Sequence, residues 1–440
     1  MKMSHLLFLP IYLISALFTS CMFHSKKMPD DNAIVIDLTA PCDSTCYLSD
    51  LADSIVYYPI VTPTIKFVDI EVLTKYIYAY ANRKLHVYER NNNRLIKSFN
   101  FGPVIGGPGY EPYYYKYANT AFPFEQEELF VCSRRVEKGT NVFYSSAVLN
   151  VMTEEWGEPL HFPGYDYVRI NDCIVKKNTE PIAITKKDTL TWFDNQMKCL
   201  KKEPLKDIAL RFPYPGPWLR FNLLHDKIYY HVPTSRTVYE VSPIHAPIPL
   251  YRFELGKYKS SFKEFADFVL ETPEPYYKIK KFNASPYYHL RGSQMSDHYV
   301  WGAYNYKGDI YAVLFDREKL RTMIYPARTS NVFYPIEEGG IPNDLDGGLD
   351  FWPKRISKYG EIYSWYNVKD LKEKVSQSHS GAMKNPEAAK RLKELLDNLP
   401  EEVNVIVAVL KENAKKEYHE NHRFTFGKQA MRSPIWLVGR

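Results

Sequence analysis

A recurring strand pattern constrains this chain more than any single motif. In "YIYAYANRKLHVYERNNNRLIKSFNF" (76–101), alternation of apolar and polar residues predicts strands at 76–81, 84–90 and 94–101, with Asn91-Asn92-Asn93 as a turn. Ile77-Tyr78 stands ten positions ahead of Val87-Tyr88-Glu89, and Ile228-Tyr229 stands ten ahead of Val238-Tyr239-Glu240. A third copy, "PIAITKKDTLTWFDN" (181–195), sets Ile182 ten ahead of Trp192-Phe193-Asp194. Looser copies carry Leu129-Phe130, Val300-Trp301 with Leu314-Phe315-Asp316, and Ile362-Tyr363. The anchors at 77, 129, 182, 228, 300 and 362 are separated by 52, 53, 46, 72 and 62 residues. Each interval holds roughly four short strands, the content of a propeller blade. The expected fold class is therefore all-β: a six-bladed β-propeller with small helical insertions.

An inserted helix explains the long 228–300 gap, and a second helix interrupts the last unit. Ser261 and Glu264 form a capping-box pattern, with Phe262, Phe265, Ala266 and Val269 on one apolar face. In "NPEAAKRLKELLDNLP" (385–400), Asn385 is the expected N-cap, Pro386 opens the first turn and Pro400 is the stop. Leu392, Leu395, Leu396 and Leu399 form its buried stripe. "NVIVAVLKE" (404–412) is apolar on both faces, as a buried strand is. A ring of blades leaves an exposed edge unless its ends are tied. "SIVYYPIV" (54–61), ahead of the first full unit, is the candidate strand for N/C-terminal closure of the last blade.

Composition agrees with short strands: 36 Tyr, 24 Phe and 7 Trp, with 30 Pro against 20 Gly. The net charge of +6 is spread along the chain without a block of like charges, so no nucleic-acid partner is expected. At the N-terminus, Lys2 precedes "LLFLPIYLISALF" (6–18), an apolar stretch too short to span a bilayer, and then "TSC" ending at Cys21. This resembles a bacterial lipoprotein signal. It implies lipidation of Cys21, a membrane partner through that anchor, and an outer-membrane address, periplasmic or surface-facing. The expected organisation is a signal peptide over 1–20, a flexible tether over 21–46, a propeller over 47–412 and a tail over 413–440. Cys42 and Cys46 could pair across a five-residue loop, and the remaining cysteines show no zinc spacing.

The order of elements carries a further resemblance: "YLSDLADSIVYYPI" (47–60), "IYAYANRKLHVYER", the loop "GGPGYEP" (106–112) and a late "DLDGGLDFWPKRIS" (344–357). It is similar to six-bladed, NHL-like β-propeller lipoproteins of gut-type Gram-negative bacteria. The resemblance covers 47 to about 412 and implies a fold and an address, with little chemistry. Tyr110 and Glu111 stand in swapped order relative to that family's loop.

Candidate chemistry is sparse. The loop "NFGPVIGGPGYEPYYYKY" (100–117) lacks the Gly-Lys-Ser/Thr ending of a phosphate cradle, and Pro103 and Pro108 remove backbone donors. Its glycines supply turn geometry. Tyr110, Tyr113 and Tyr114 either pack between blades or stack on a sugar or another flat ligand. His289 and Arg291 in "YYHLRG" fall on one face of an unbroken strand, where Arg291 could bind a carboxylate. Asp344, Asp346 and Asp350 around Gly347-Gly348 offer an alternative as a calcium loop. His225, His231 and His298 lie near different strands and could converge with His289. No GxSxG nucleophile elbow or HExxH metal-protease motif is present, and no cofactor is expected. Two functions remain open: a binding module for a glycan or an envelope protein, or a glycan-active hydrolase or lyase working from the propeller channel.

Overall fold

The computed structural model describes residues 33–39, 46–62, 69–81, 84–100, 127, 129–138, 141–160, 167–170, 173–178, 189–194, 199–204, 221–231, 236–255, 289–329, 336–378 and 383–413. The described chain is all-β with few helices, built from small antiparallel meanders in sequence order, the arrangement of a β-propeller. It divides into two compact units: Met1–Asp43 with Phe101–Glu338 and Ile356–Gly360, and Ser44–Asn100 with Gly339–Arg355 and Glu361–Arg440.

The larger unit contains four sheets. One runs β7 (Leu129–Lys138), β8 (Asn141–Asn150), β9 (Trp156–Leu160), and the next runs β10 (Tyr167–Ile170), β11 (Cys173–Asn178), β12 (Thr189–Asp194), β13 (Cys199–Pro204). A third runs β14 (Phe221–Leu224), β15 (Lys227–His231), β16 (Thr237–Val241), β17 (Ile248–Glu254), with β1 (Ile34–Asp37) added in parallel to the free side of β17. The fourth runs β18 (His289–Met295), β19 (Tyr299–Tyr306), β20 (Asp309–Asp316), β21 (Arg321–Arg328), ending on β22 (Glu338–Gly339). Between β19 and β20, Lys307 (φ 54°) and Gly308 (φ 88°) both take positive φ, as a tight two-residue hairpin turn requires. Ile36, Leu38, Tyr251, Phe253, Val300 and Phe315 share one buried cluster in this unit.

β1 corrects the expected domain boundary. The tether assigned to 21–46 contains a strand, because "IVID" alternates and places Ile36 fully inside the apolar cluster while Val35 faces solvent. Burying one isoleucine side chain contributes about 2 kcal/mol, and the ladder to β17 adds its hydrogen bonds.

The smaller unit contains two sheets. One runs β3 (Asp69–Val72), β4 (Tyr76–Ala81), β5 (Lys84–Glu89), β6 (Arg94–Asn100), matching the strands read from the repeat. The other runs β23 (Arg355–Ile356), β24 (Ile362–Asn367), β25 (Val405–Glu412), β2 (Ala52–Ile60). Its outer strand comes from near the N-terminus: β2 pairs with β25 from Ile60↔Val405 to Ala52↔Glu412, as "SIVYYPIV" predicted. Two helices interrupt this sheet between β24 and β25, α1 (Val368–Gln377) and α2 (Pro386–Asp397). Asn385 caps α2 by accepting from Ala388 N at 3.0 Å, and Pro386 opens it. The sequence reading missed α1, whose N-cap Asn367 is also the last residue of β24. Leu371 of α1 and Leu392 and Leu396 of α2 bury against Ile406. The helix expected near 261–269 lies outside the described residues.

The repeated tripeptides occupy one structural position. Val87-Tyr88-Glu89, Trp192-Phe193-Asp194, Val238-Tyr239-Glu240 and Leu314-Phe315-Asp316 all lie on the third strand of their meanders. In three of them the pairing with the fourth strand slips by one residue after the first member. The extra residues are Ile96, Leu200 and Leu250. A bulge sharpens strand twist and spoils a flat edge for further pairing. The acidic third member serves the next turn: Asp316 Oδ1 accepts from Glu318 N and Lys319 N, both at 2.9 Å. Among the anchors, Ile77, Ile228, Val300 and Ile362 lie on second strands, Leu129 starts a first strand, and Ile182 lies outside the described residues.

Candidate functional site

Cys21, Cys42, Tyr110, Tyr113 and Tyr114 lie outside the described residues; Cys46 is buried. Arg291 corrects its expectation. Pairing between β18 and β19 jumps from Leu290↔Tyr304 to Gly292↔Ala303, so Arg291 is the unpaired residue of a bulge and the alternation linking it to His289 is broken. Its side chain is fully buried and donates from Nη1 to Asn305 Oδ1 at 3.1 Å. Burial pushes the Arg291 pKa down to about 9, while the nearby Glu337 carboxylate acts in the opposite sense. The residue fastens two strands instead of presenting a guanidinium to a ligand.

The acidic turn of the smaller unit is also structural. Asp344 accepts from Ser49 N at 2.9 Å and Ser49 Oγ at 2.7 Å. Asp346 accepts from Tyr57 Oη at 2.9 Å, Asn343 Nδ2 at 2.8 Å and Gly348 N at 3.1 Å. The Gly347 carbonyl accepts from Ser378 Oγ at 2.9 Å, at the end of α1. These carboxylates hold β2 and the helical pair to the turn, and their oxygens already face protein donors where calcium would need them free. Among the described residues, no three His, Cys, Asp or Glu side chains gather as a metal site. Burial pushes the Asp346 carboxyl above its ordinary range against the pull of its donors, and burial does the same to Asp350 against Lys374.

Among the described residues of the larger unit, a few polar side chains converge at one end of two sheets. His225, in the β14–β15 turn at φ 53°, sets Nε2 2.8 Å from Asp297 Oδ1 in the β18–β19 turn. Its backbone N donates to Lys358 O at 2.6 Å, bringing in the turn that precedes β24. Arg317 of the β20–β21 turn donates to the carbonyls of Ser296 at 2.9 Å and Asp297 at 2.7 Å, and to Tyr251 Oη at 2.8 Å. Gly360 (φ 84°) completes the join, because a Cβ there would stand 2.6 Å from Asp297 Oδ2. The His225 and Asp297 side chains remain about half exposed, at 51% and 45%. Hydrogen bonds thus join four turns at this end, with the His225 and Asp297 side chains open to solvent. His298 sits in the same turn as Asp297.

His231 does not join them. It is buried on β15 against Phe253, with Nδ1 2.8 Å from Ser293 Oγ on β18. Sequence reasoning had His225 without a partner; "LLHDK" and "MSDHY" read as ordinary turns, and nothing in either names the other.

The chain matches one family model in part and is similar in fold to solved structures. A model for a domain of unknown function (DUF4933) matches residues 183–377. No curated protein matches the sequence. In structure, the chain is similar to a Bacteroides fragilis protein described as exported, at 15% identity and a TM-score of 0.58, over 87% of this chain and 99% of that one. That likeness shows a shared fold. A Bacteroides vulgatus member of the DUF4221 family is similar at 11% identity and a TM-score of 0.36, covering 82% of this chain and 97% of that one.

Proposed function

We propose that this chain is a lipid-anchored β-propeller of the cell envelope that binds a glycan or a protein partner. In this reading the six sheets are the blades of one propeller and Cys21 carries the anchor. The rigid turn surface around His225, Asp297 and Arg317 is the observation that carries it: internal hydrogen bonds fix its shape, while the His225 and Asp297 side chains stay open to solvent. Nutrient uptake at an outer membrane is the setting that fits such a module, with Tyr110, Tyr113 and Tyr114 as the stacking side chains for a sugar. The exported relative of similar fold supports the address.

Two measurements test the reading separately. Cys21→Ala should move the protein from the membrane to the soluble fraction, and unchanged fractionation would refute lipidation there. The mature chain with Cys21→Ser should bind on a glycan array or capture an envelope protein by crosslinking, with His225→Ala or Tyr113→Ala weakening the signal. Silence in both assays would remove the binding function.

A further inference from the structure

The His225–Asp297 pair has a hydrogen-bond polarity as well as a shape. His225 sits at φ 53°, and its backbone N is fixed on Lys358 O at 2.6 Å, so the position of the ring is set by the turn. In the neutral ring, Nε2 is the atom that donates to Asp297 Oδ1 at 2.8 Å, because a carboxylate only accepts. The other nitrogen, Nδ1, then carries the lone pair, and it meets no protein donor among the described residues. A carboxylate behind an imidazole fixes its tautomer and raises the basicity of the nitrogen that faces out. Asp297 is itself held by Arg317, which donates to its carbonyl at 2.7 Å, and its Oδ2 lies against Gly360.

The charges around this pair divide by whether the protein already engages them. Arg317 uses its guanidinium on the carbonyls of Ser296 and Asp297 and on Tyr251 Oη. Lys227 turns to Glu240 at 3.3 Å, Lys319 to Asp316 at 3.9 Å, and Lys358 Nζ lies 4.9 Å from the Tyr359 ring centre. Each lysine and arginine of these turns therefore has a protein partner. The groups left open are acceptors: His225 Nδ1, Asp297 Oδ2 and the exposed carboxylate of Asp226, next to His225 in the same turn.

We infer that this site takes a neutral, hydroxyl-rich glycan whose hydroxyl groups donate to His225 Nδ1 and to the Asp297 and Asp226 carboxylates, and that it refuses acidic glycans. The inference rests on the binding reading and narrows its choice of a glycan or a protein to one kind of glycan. A sugar hydroxyl is a donor that needs no counter-charge, whereas a uronate or sulfate would set acceptors against acceptors. Asp297 acts here as a positioning residue for the ring. A second proton on His225 turns Nδ1 from acceptor to donor, so binding should weaken in acid. Glu318, His298 and Tyr359 complete the ionisable groups of these turns. Of all these residue types only histidine ordinarily changes charge between about pH 5 and 8, which makes His298→Gln the control.

The test has a ligand-free arm and a glycan arm, both on the mature chain with Cys21→Ser. Nitrogen NMR of histidine-labelled protein should find the proton of the neutral His225 ring on Nε2, and Asp297→Ala should release the ring into a mixture of tautomers. A wild-type proton on Nδ1 would overturn the inference. In the glycan arm, neutral oligosaccharides of xylan, mannan and glucan are compared with polygalacturonate and heparin. We expect binding within the neutral set only, about tenfold weaker for His225→Gln, and about tenfold weaker at about pH 5 than at about pH 8. His225→Gln keeps an amide donor for Asp297 but no outward ring nitrogen, so its residual binding should lose the pH dependence, while His298→Gln keeps the wild-type profile. An unchanged melting curve checks the fold of each variant. Binding to the acidic polymers, or neutral binding indifferent to His225→Gln, would overturn the inference. Silence on every glycan would overturn it too, and capture of an envelope protein by crosslinking would then leave the broader binding reading standing without it.

Discussion

Arg90 and Glu361, 271 positions apart in sequence, meet as a bidentate pair: Nη1 to Oε2 and Nη2 to Oε1, both at 2.7 Å. Lys411 Nζ adds a third contact to Oε1 at 3.1 Å, and Arg90 Nη1 also donates to the Leu73 carbonyl at 2.8 Å. The pair joins the first sheet of the smaller unit to its last. Partial burial raises the Glu361 pKa, but the hydrogen bonds and charges of Arg90 and Lys411 outweigh it, and the net shift is downward.

Glu361→Gln should therefore destabilise the protein by about 2 kcal/mol at neutral pH, since it leaves a partly buried guanidinium without its counter-charge. A carboxyl with a lowered folded pKa adds stability above its unfolded pKa, and that stability is lost as pH falls through the folded value. The gap between wild type and variant in urea melts should shrink as pH drops below the ordinary glutamate range. A gap independent of pH would contradict the assignment.

Asp346 gives the opposite sign. Its folded pKa is raised, so the folded state holds a proton that the unfolded chain has released, and this contribution fades as pH rises above the ordinary aspartate range through the raised value. Asp346→Asn abolishes the titration while disturbing the Tyr57 hydrogen bond by a constant amount. Relative to wild type, the variant should gain stability as pH rises through that window. A flat difference across pH, measured by thermal melting, would show that Asp346 is ionised throughout.

Ile36→Ala should cost about 3 kcal/mol if β1 remains docked, the range for emptying a well-packed isoleucine site. Release of the strand would limit the loss and show itself differently. Hydrogen exchange would then speed up at 35–37, and at Leu38 N, which bonds to the Glu254 carbonyl at 3.0 Å, before the β18–β21 sheet changes. Uniform protection lost only on global unfolding would mean that β1 is inseparable from the core.

Leu320→Gly should stabilise the fold by roughly 0.5 kcal/mol, relief of the left-handed leucine outweighing the greater freedom of glycine in the unfolded chain. A higher melting temperature is the expected signature, and destabilisation would show that the leucine is not strained.

The sheets were readable because propeller strands follow one another along the chain. β4, β5 and β6 each announce themselves by alternation, and Asn93 at φ 55° turns the chain where the asparagine run predicted. Even the closing strand β2 was legible from its apolar run. What alternation cannot show is its own interruption. Arg291 was assigned a face that the Leu290/Gly292 bulge removes, and the extra residues Ile96, Leu200 and Leu250 are ordinary strand residues in sequence. The polar surface was hidden for another reason: His225 and Asp297 are 72 positions apart, and each sits in a turn whose local sequence explains itself. Asp344 and Asp346 misled in reverse, since a carboxylate-and-glycine turn reads alike whether its oxygens meet an ion or Ser49 and Tyr57.

The parallel docking of β1 on β17 has a mechanical consequence. A tug arriving from the N-terminal side acts along β1, with its C-terminal end held by the body of the unit, so the ladder is loaded in shear. Its rungs then share the force and yield together with the withdrawal of Ile36, where an antiparallel strand hung from the same edge would peel one rung at a time. Four residues thus form a clasp that resists a pull along the strand as one unit.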